Sequence, residues 1–179
     1  AMNGILFKNA SALEDATKLN VIIFDKTGTL TMGQPEVVDL VAAPGASDEQ
    51  LLSAAASVEA GSDHPLAQAI LRRAADVKAS KSEAFRNIEG KGAQAEVDGQ
   101  TILLGNKQLM SENKIDLGDL RAKSLELQGA GRTVVHLSRG GKFLGLIAIA
   151  DAARPTAVDA IKALRARGVE VAMLTGDNQ

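Results

Sequence analysis

The chain has 179 residues, of which 23% are charged and 45% hydrophobic, with 17 glycines and a net charge of −2. That is globular composition with material for one good core or two small ones, and it excludes disordered and fibrous classes. The near-neutral charge and only four aromatic residues, all Phe, exclude nucleic acid as a partner, and the lack of Cys excludes disulfides and thiolate metal sites.

Ala10 to Ala16 reads as a short helix leading into a first strand. Val21-Ile22-Ile23-Phe24 is an apolar run of the kind buried in a parallel sheet, and it delivers Asp25 into a turn containing Thr27, Gly28 and Thr29. A carboxylate at such a strand end stands at the ligand-binding edge of an open α/β sheet. There it either holds a magnesium ion or attacks a phosphoryl group as a nucleophile. Gly28 allows a sharp turn, and Thr27, Thr29 and the turn amides can meet phosphate oxygens. Lys26 adds a positive charge, although adjacent side chains on a strand point to opposite faces. Taken alone, the same residues also make an ordinary strand end with a polar turn.

Gly33 and Pro35 mark an exit, after which Glu36 to Val41 resumes as a strand. Ser47 and Gln50 fit a capping box, opening a helix through Leu51, Leu52, Ala55 and Val58 that ends near Gly61. Ser62 is the expected cap of a second helix, with Pro65 in its first turn and Leu66, Ala69, Ile70 and Ala74 as its apolar stripe. Strands follow at Phe85–Glu89, Ala93–Val97 and Thr101–Leu104, the last two joined by the hairpin signal Asp98-Gly99. A short helix over Asn106–Met110 and a longer one over Leu117–Leu127 precede the strands Thr133–Leu137 and Phe143–Ile149, which flank Gly140-Gly141. His136 lies on the first of these with no companion and reads as structural.

Pro155 opens a helix with a buried stripe of Val158, Ile161 and Leu164 that stops at Gly168, and Val169–Leu174 is a second parallel strand delivering Thr175, Gly176 and Asp177. Both ends of the chain are thus α/β and the middle is antiparallel, which indicates an inserted domain. Strands from the two ends would bring Asp25 and Thr175 to one sheet edge. No string matches the P-loop, since Gly90-Lys91-Gly92 is too short. No apolar stretch approaches the roughly 20 residues that a membrane helix needs.

Asp25-Lys26-Thr27-Gly28-Thr29-Leu30-Thr31 matches the phosphorylation motif of P-type cation-transporting ATPases without a mismatch, and Thr175-Gly176-Asp177-Asn178 matches their second phosphorylation-domain motif. Between them, Ser62-Asp63-His64-Pro65-Leu66-Ala67 resembles the nucleotide-domain signature of the heavy-metal branch, with Asp63 where glutamate is frequent. The resemblance implies an α/β fold: a partial HAD-like Rossmannoid phosphorylation domain, residues 1–33 and 150–179, interrupted by an α+β nucleotide-binding domain with an antiparallel sheet, residues 34–149. It implies Asp25 as phosphoryl acceptor beside Lys26, Asp25 and the Thr27 carbonyl as holders of Mg²⁺, Thr175 and Gly176 as contacts of the transferred group, and Asp177 as an organiser of the closed site. Glu59, His64, Gly90, Gly92, Gly105 and Asn106 correspond in pattern to the residues around ATP. Asp151 and Arg154-Pro155 resemble the family's hinge pattern.

On this resemblance the chain is a cytosolic part of a bacterial plasma-membrane pump, working with membrane and actuator domains. Copper(I) is the expected cargo, because Leu104-Gly105-Asn106 and the stretch Val171 to Asn178 look most like copper pumps; zinc, cadmium and lead are the alternatives. Family members continue past this point with a lysine and a Gly-Asp-Gly-x-Asn-Asp segment, so the 179 residues are expected to show little ATPase activity by themselves. Two other classes stay open: a soluble aspartate-nucleophile phosphatase, disfavoured by Thr27 where such enzymes place a second Asp, and a noncatalytic nucleotide-binding module.

Overall fold

The structure is a computed structural model and describes residues 9–174. In chain order the elements are α1 (Ala10–Ala16), β1 (Val21–Asp25), β2 (Thr31–Ala42), α2 (Asp48–Glu59), α3 (Pro65–Arg73), β3 (Ser82–Ile88), β4 (Gly92–Val97) and β5 (Gln100–Gly105). They continue with α4 (Lys107–Glu112), α5 (Leu120–Gly129), β6 (Thr133–Arg139), β7 (Lys142–Ala153), α6 (Pro155–Ala166) and β8 (Glu170–Leu174). The chain divides into two compact units, one of Gln34–Ala152 and one of Ala1–Gly33 with Ala153–Gln179.

The larger unit is built on a six-stranded sheet ordered β2-β7-β6-β5-β4-β3, antiparallel from β3 through β7. Its strands alternate two apolar faces, so both sides are covered. Ala93, Ala95, Ile102, Leu104, Val135, Leu137 and Ile147 pack with Leu51, Val58 and Ile70 of α2 and α3. The intervening positions pack the other way, Leu103 with Leu109 and Met110 of α4, and Val134, Leu146 and Ala148 with Leu127 of α5. Hairpin turns fall where the sequence places them: Asp98 and Gly99 have φ of 51° and 71°, and Gly140 and Gly141 have 55° and 79°. Both central residues in the left-handed region make the twist of each turn match that of its strands.

Two expectations for this unit are corrected. Gly33 and Pro35 do not interrupt the chain, because β2 runs unbroken from Thr31 to Ala42; it is the edge strand, where proline's missing N–H breaks no ladder bond. Ser62 does not cap α3. The cap is His64, whose Nδ1 accepts from Leu66 N–H at 3.2 Å, while Ser62 Oγ accepts from His64 N–H at 3.4 Å. The capping box of α2 forms as read: Ser47 Oγ accepts from Gln50 N–H at 3.2 Å and Gln50 Oε1 from Ser47 N–H at 3.0 Å. β3 begins three residues earlier than read, and a bulge interrupts its pairing with β4.

In the smaller unit β1 and β8 pair in parallel, Val21 opposite Glu170 and Asp25 opposite Leu174. Burial of β1 falls short of the expectation. Val21 and Ile23 are exposed, since the described sheet of this unit has two strands and leaves one face of β1 uncovered. The stripe of α6 is also shifted: Ala157 is buried with Ile161 and Leu164 half-buried, and Val158 faces outward. Spacing of four then three residues follows the helical period more closely than the expected three and three. The helix closes as read, with Gly168 at φ 78° and Val169 N–H donating to Leu164 C=O at 3.1 Å. No described helix is long and apolar enough to cross a membrane.

Candidate functional site

A cleft of about 580 Å³ opens in the larger unit. The structure brings Glu59, His64, Gly90, Gly92, Gly105 and Asn106 together along it. Glu59 is the last residue of α2 and His64 starts α3, so one tight connection presents both. Ser62 N–H donates to Glu59 C=O at 2.9 Å and Gln68 Nε2 to Ser62 C=O at 2.8 Å, which fixes that connection. Because His64 Nδ1 is spent on the helix cap, a neutral ring carries its proton on Nε2. Glu59 is 8% exposed. Burial raises its carboxyl above the ordinary range, offset in part by a hydrogen bond with Ser62 and by the neighbouring His64.

Two glycines of the cleft, Gly92 and Gly105, are demanded by close backbone approach. A Cβ on Gly92 would overlap the Leu104 carbonyl and the Gly105 Cα, and one on Gly105 would overlap the Lys91 carbonyl. Asn106 locks the same turn: its N–H donates to Lys91 C=O at 2.8 Å, its Nδ2 to Gly90 C=O at 3.0 Å, and its Oδ1 caps α4 by accepting from Leu109 N–H at 3.0 Å. Lys91 Nζ is held by Glu112 at 2.8 Å. The result is a wall of bare main chain against which a flat ligand can lie.

Asp25 sits in the smaller unit, exposed, at the C-terminal end of β1. The chain then turns through Thr27 and Gly28, whose φ of 76° only glycine adopts without strain. Thr31, 7% exposed, ties the loop shut: its hydroxyl accepts from Gly28 N–H and donates to Lys26 C=O, both at 3.1 Å. From the far end of the chain Arg154 donates through Nη2 to Gly28 C=O at 3.0 Å and through its N–H to Leu30 C=O at 2.8 Å. Lys26 is half-buried beside Asp25. Thr175, Gly176 and Asp177 lie outside the described residues.

A family model for haloacid dehalogenase-like hydrolases matches residues 19–179. The chain belongs to that family. Over its whole length it is 39% identical to the silver-exporting P-type ATPase of Salmonella typhimurium and 41% identical to the copper-transporting P-type ATPase of Rhizobium leguminosarum bv. viciae. It spans 22% of the length of each. The crystal structure of a zinc-transporting PIB-type ATPase in its E2.Pi state superposes with a TM-score of 0.70 at 41% identity, covering 89% of this chain and 26% of that one. The chain is thus homologous to heavy-metal P-type ATPases, and its fold is the haloacid dehalogenase-like α/β type interrupted by an α+β insertion.

Within this haloacid dehalogenase-like fold, the donor set at Asp25 suits Mg²⁺. A carboxylate and the main-chain carbonyl of Thr27 are hard oxygen donors, and such ions complete their shells with water and phosphate oxygens. Among the described residues no group of three or more His, Asp or Glu gathers into a dedicated cage. Sequence reasoning missed the brace supplied by Thr31 and, in the cleft, Phe85 and Asn87. Phe85 had no signal, because its direction is set by pairing with another strand.

Proposed function

We propose that this chain is the ATP-binding and phosphoryl-accepting portion of a heavy-metal P-type ATPase. The observation that carries the reading is the cleft: Glu59, His64 and the glycine wall, far apart in sequence, share one concavity of nucleotide size. The Glu59 carboxylate accepts from an exocyclic amine, His64 Nε2–H donates to a ring acceptor, and Gly90 and Gly92 let the ribose-phosphate approach the backbone. A carboxylate oxygen of Asp25 then attacks the γ-phosphorus, and the bond to the bridging oxygen breaks with ADP as leaving group. Water later hydrolyses the aspartyl-phosphate. Lys26, Thr175 and Gly176 steady the transferred group and Asp177 orders the closed site. Mg²⁺ held by Asp25 and the Thr27 carbonyl supplies charge neutralisation when bound.

In the whole pump this cycle drives a soft metal ion across a bacterial plasma membrane through membrane and actuator domains. Copper(I) is the proposed cargo. Silver, copper and zinc all occur among the names of the relatives, in keeping with cargo being chosen by membrane ligands. Thr27 two residues after Asp25 leaves no general acid there, which sets the chain apart from fast phosphatases and favours a long-lived phosphoenzyme. Titrating MgATP into the chain while following backbone and His64 ring resonances tests the reading. Saturable shifts at Glu59, His64 and Gly90–Gly92 are expected. Shifts confined to other surfaces, or none at millimolar ATP, overturn it.

A further inference from the structure

The cleft carries one aromatic side chain, Phe85 on β3, and the way it gets there is unusual. Glu83 pairs with Glu96 but Arg86 with Gln94, so two residues of β3, Ala84 and Phe85, stand opposite the single Ala95 of β4. Continuing the first register would set Phe85 opposite Gln94, whose neighbours in β4, Ala93 and Ala95, belong to the buried face beneath α2 and α3. The extra residue slips the pairing by one and turns Phe85 to the face of Ala93 and Ala95, which is the face of the cleft. The bulge is strained, because Ala84 adopts φ 49°, a region that residues with a Cβ seldom enter.

The sheet's core does not repay that strain. Phe85 belongs to none of the buried clusters and is 50% exposed. Phe143, by contrast, packs against two of them. The ring lines the cleft and stands half in water, where a flat apolar ligand can cover it.

Resting on the nucleotide reading above, we propose that Phe85 is a base-stacking residue of the cleft: its ring covers one face of a purine whose edge is read by Glu59 and His64. Bare backbone at Gly90, Gly92 and Gly105 lines the same cleft, which leaves room for a planar group. Base–aromatic stacking is worth enough that removing the ring weakens binding roughly ten-fold.

The test uses the full chain and ATP. Phe85→Ala is expected to bind ATP roughly ten-fold more weakly with β3 and β4 amide shifts unchanged, and adenine H2 and H8, shifted upfield on binding the parent chain, should lose that ring-current shift. Phe85→Trp should keep the affinity. Because the chain has no Trp or Tyr, the emission of that variant reports this position alone and should be quenched by ATP. Parent chain binding ATP at the cleft, with Phe85→Ala equal to it and no quenching in Phe85→Trp, overturns the stacking role while leaving the nucleotide reading intact. A parent chain that binds no ATP overturns both.

Discussion

Two glycine turns shape the candidate sites of this molecule, and they are built on opposite principles. At Gly28 the backbone needs a positive φ of 76°, yet a side chain would meet nothing within 4 Å. At Gly92 the φ is 140° and a side chain would run into Leu104 and Gly105. The first glycine serves conformation, in an exposed loop tied by hydrogen bonds with Thr31 and Arg154. The second serves close packing, at the end of a sheet buried on both faces. The loop that presents the Asp25 carboxylate is thus held by side-chain ties, whereas the wall of the cleft is held by backbone excluded volume.

The contrast breaks most visibly at Gly92. Gly92→Ala forces two backbone strands apart and is expected to destabilise the larger unit by about 3–5 kcal/mol, read as a shift in the denaturant midpoint, with loss of ATP binding in the same titration. The corresponding change in the open loop, Gly28→Ala, has only the left-handed conformation to fight and is expected to cost about 1 kcal/mol. Equal losses at the two positions would remove the distinction. Between them stands Thr31→Val, which keeps the shape and deletes the hydroxyl shared by Gly28 and Lys26. About 1.5 kcal/mol is expected for the part-buried hydrogen bonds lost, Lys26 C=O keeping its bond from the backbone N–H of residue 31, seen as faster amide exchange at Gly28 with the cleft residues unaffected.

Local signals were legible wherever the reason for a structure lies within a few residues. Ser47 and Gln50 announce their capping box, and Asp98-Gly99 and Gly140-Gly141 announce their turns. Where the reason lies in a partner, reading failed. Pro35 looks like a break until β2 is known to be an edge strand. The α6 stripe falls on Ala157 rather than Val158, because nothing in the helix itself says which half-turn faces β8. Ser62 and His64 compete for one cap, and only the backbone path shows that the imidazole reaches Leu66 N–H while the serine holds the imidazole's own residue. The Phe85 bulge is the extreme case, since a register shift exists only between two strands.

The smallest expected effects come from two titrating groups of the larger unit, and their signs oppose. Burial raises the Glu59 carboxyl above 4.5, so between 4.5 and that raised value the folded chain binds more protons than the unfolded one, and stability falls as pH rises through the window. Burial lowers His136, fully enclosed with Nε2 on Ser124 Oγ at 3.0 Å, against the opposing pull of the Gly105 backbone, so here the unfolded chain binds the extra proton and stability falls as pH drops below 6.5. The two slopes have opposite signs in the parent chain. Single replacements separate them: Glu59→Gln should leave a stability that only falls on acidification through the histidine window, and His136→Phe one that only falls on raising pH through the carboxylate window. Denaturation midpoints between pH 4 and 8 check both, and a parent-like profile in either variant would show that the corresponding group is not what titrates.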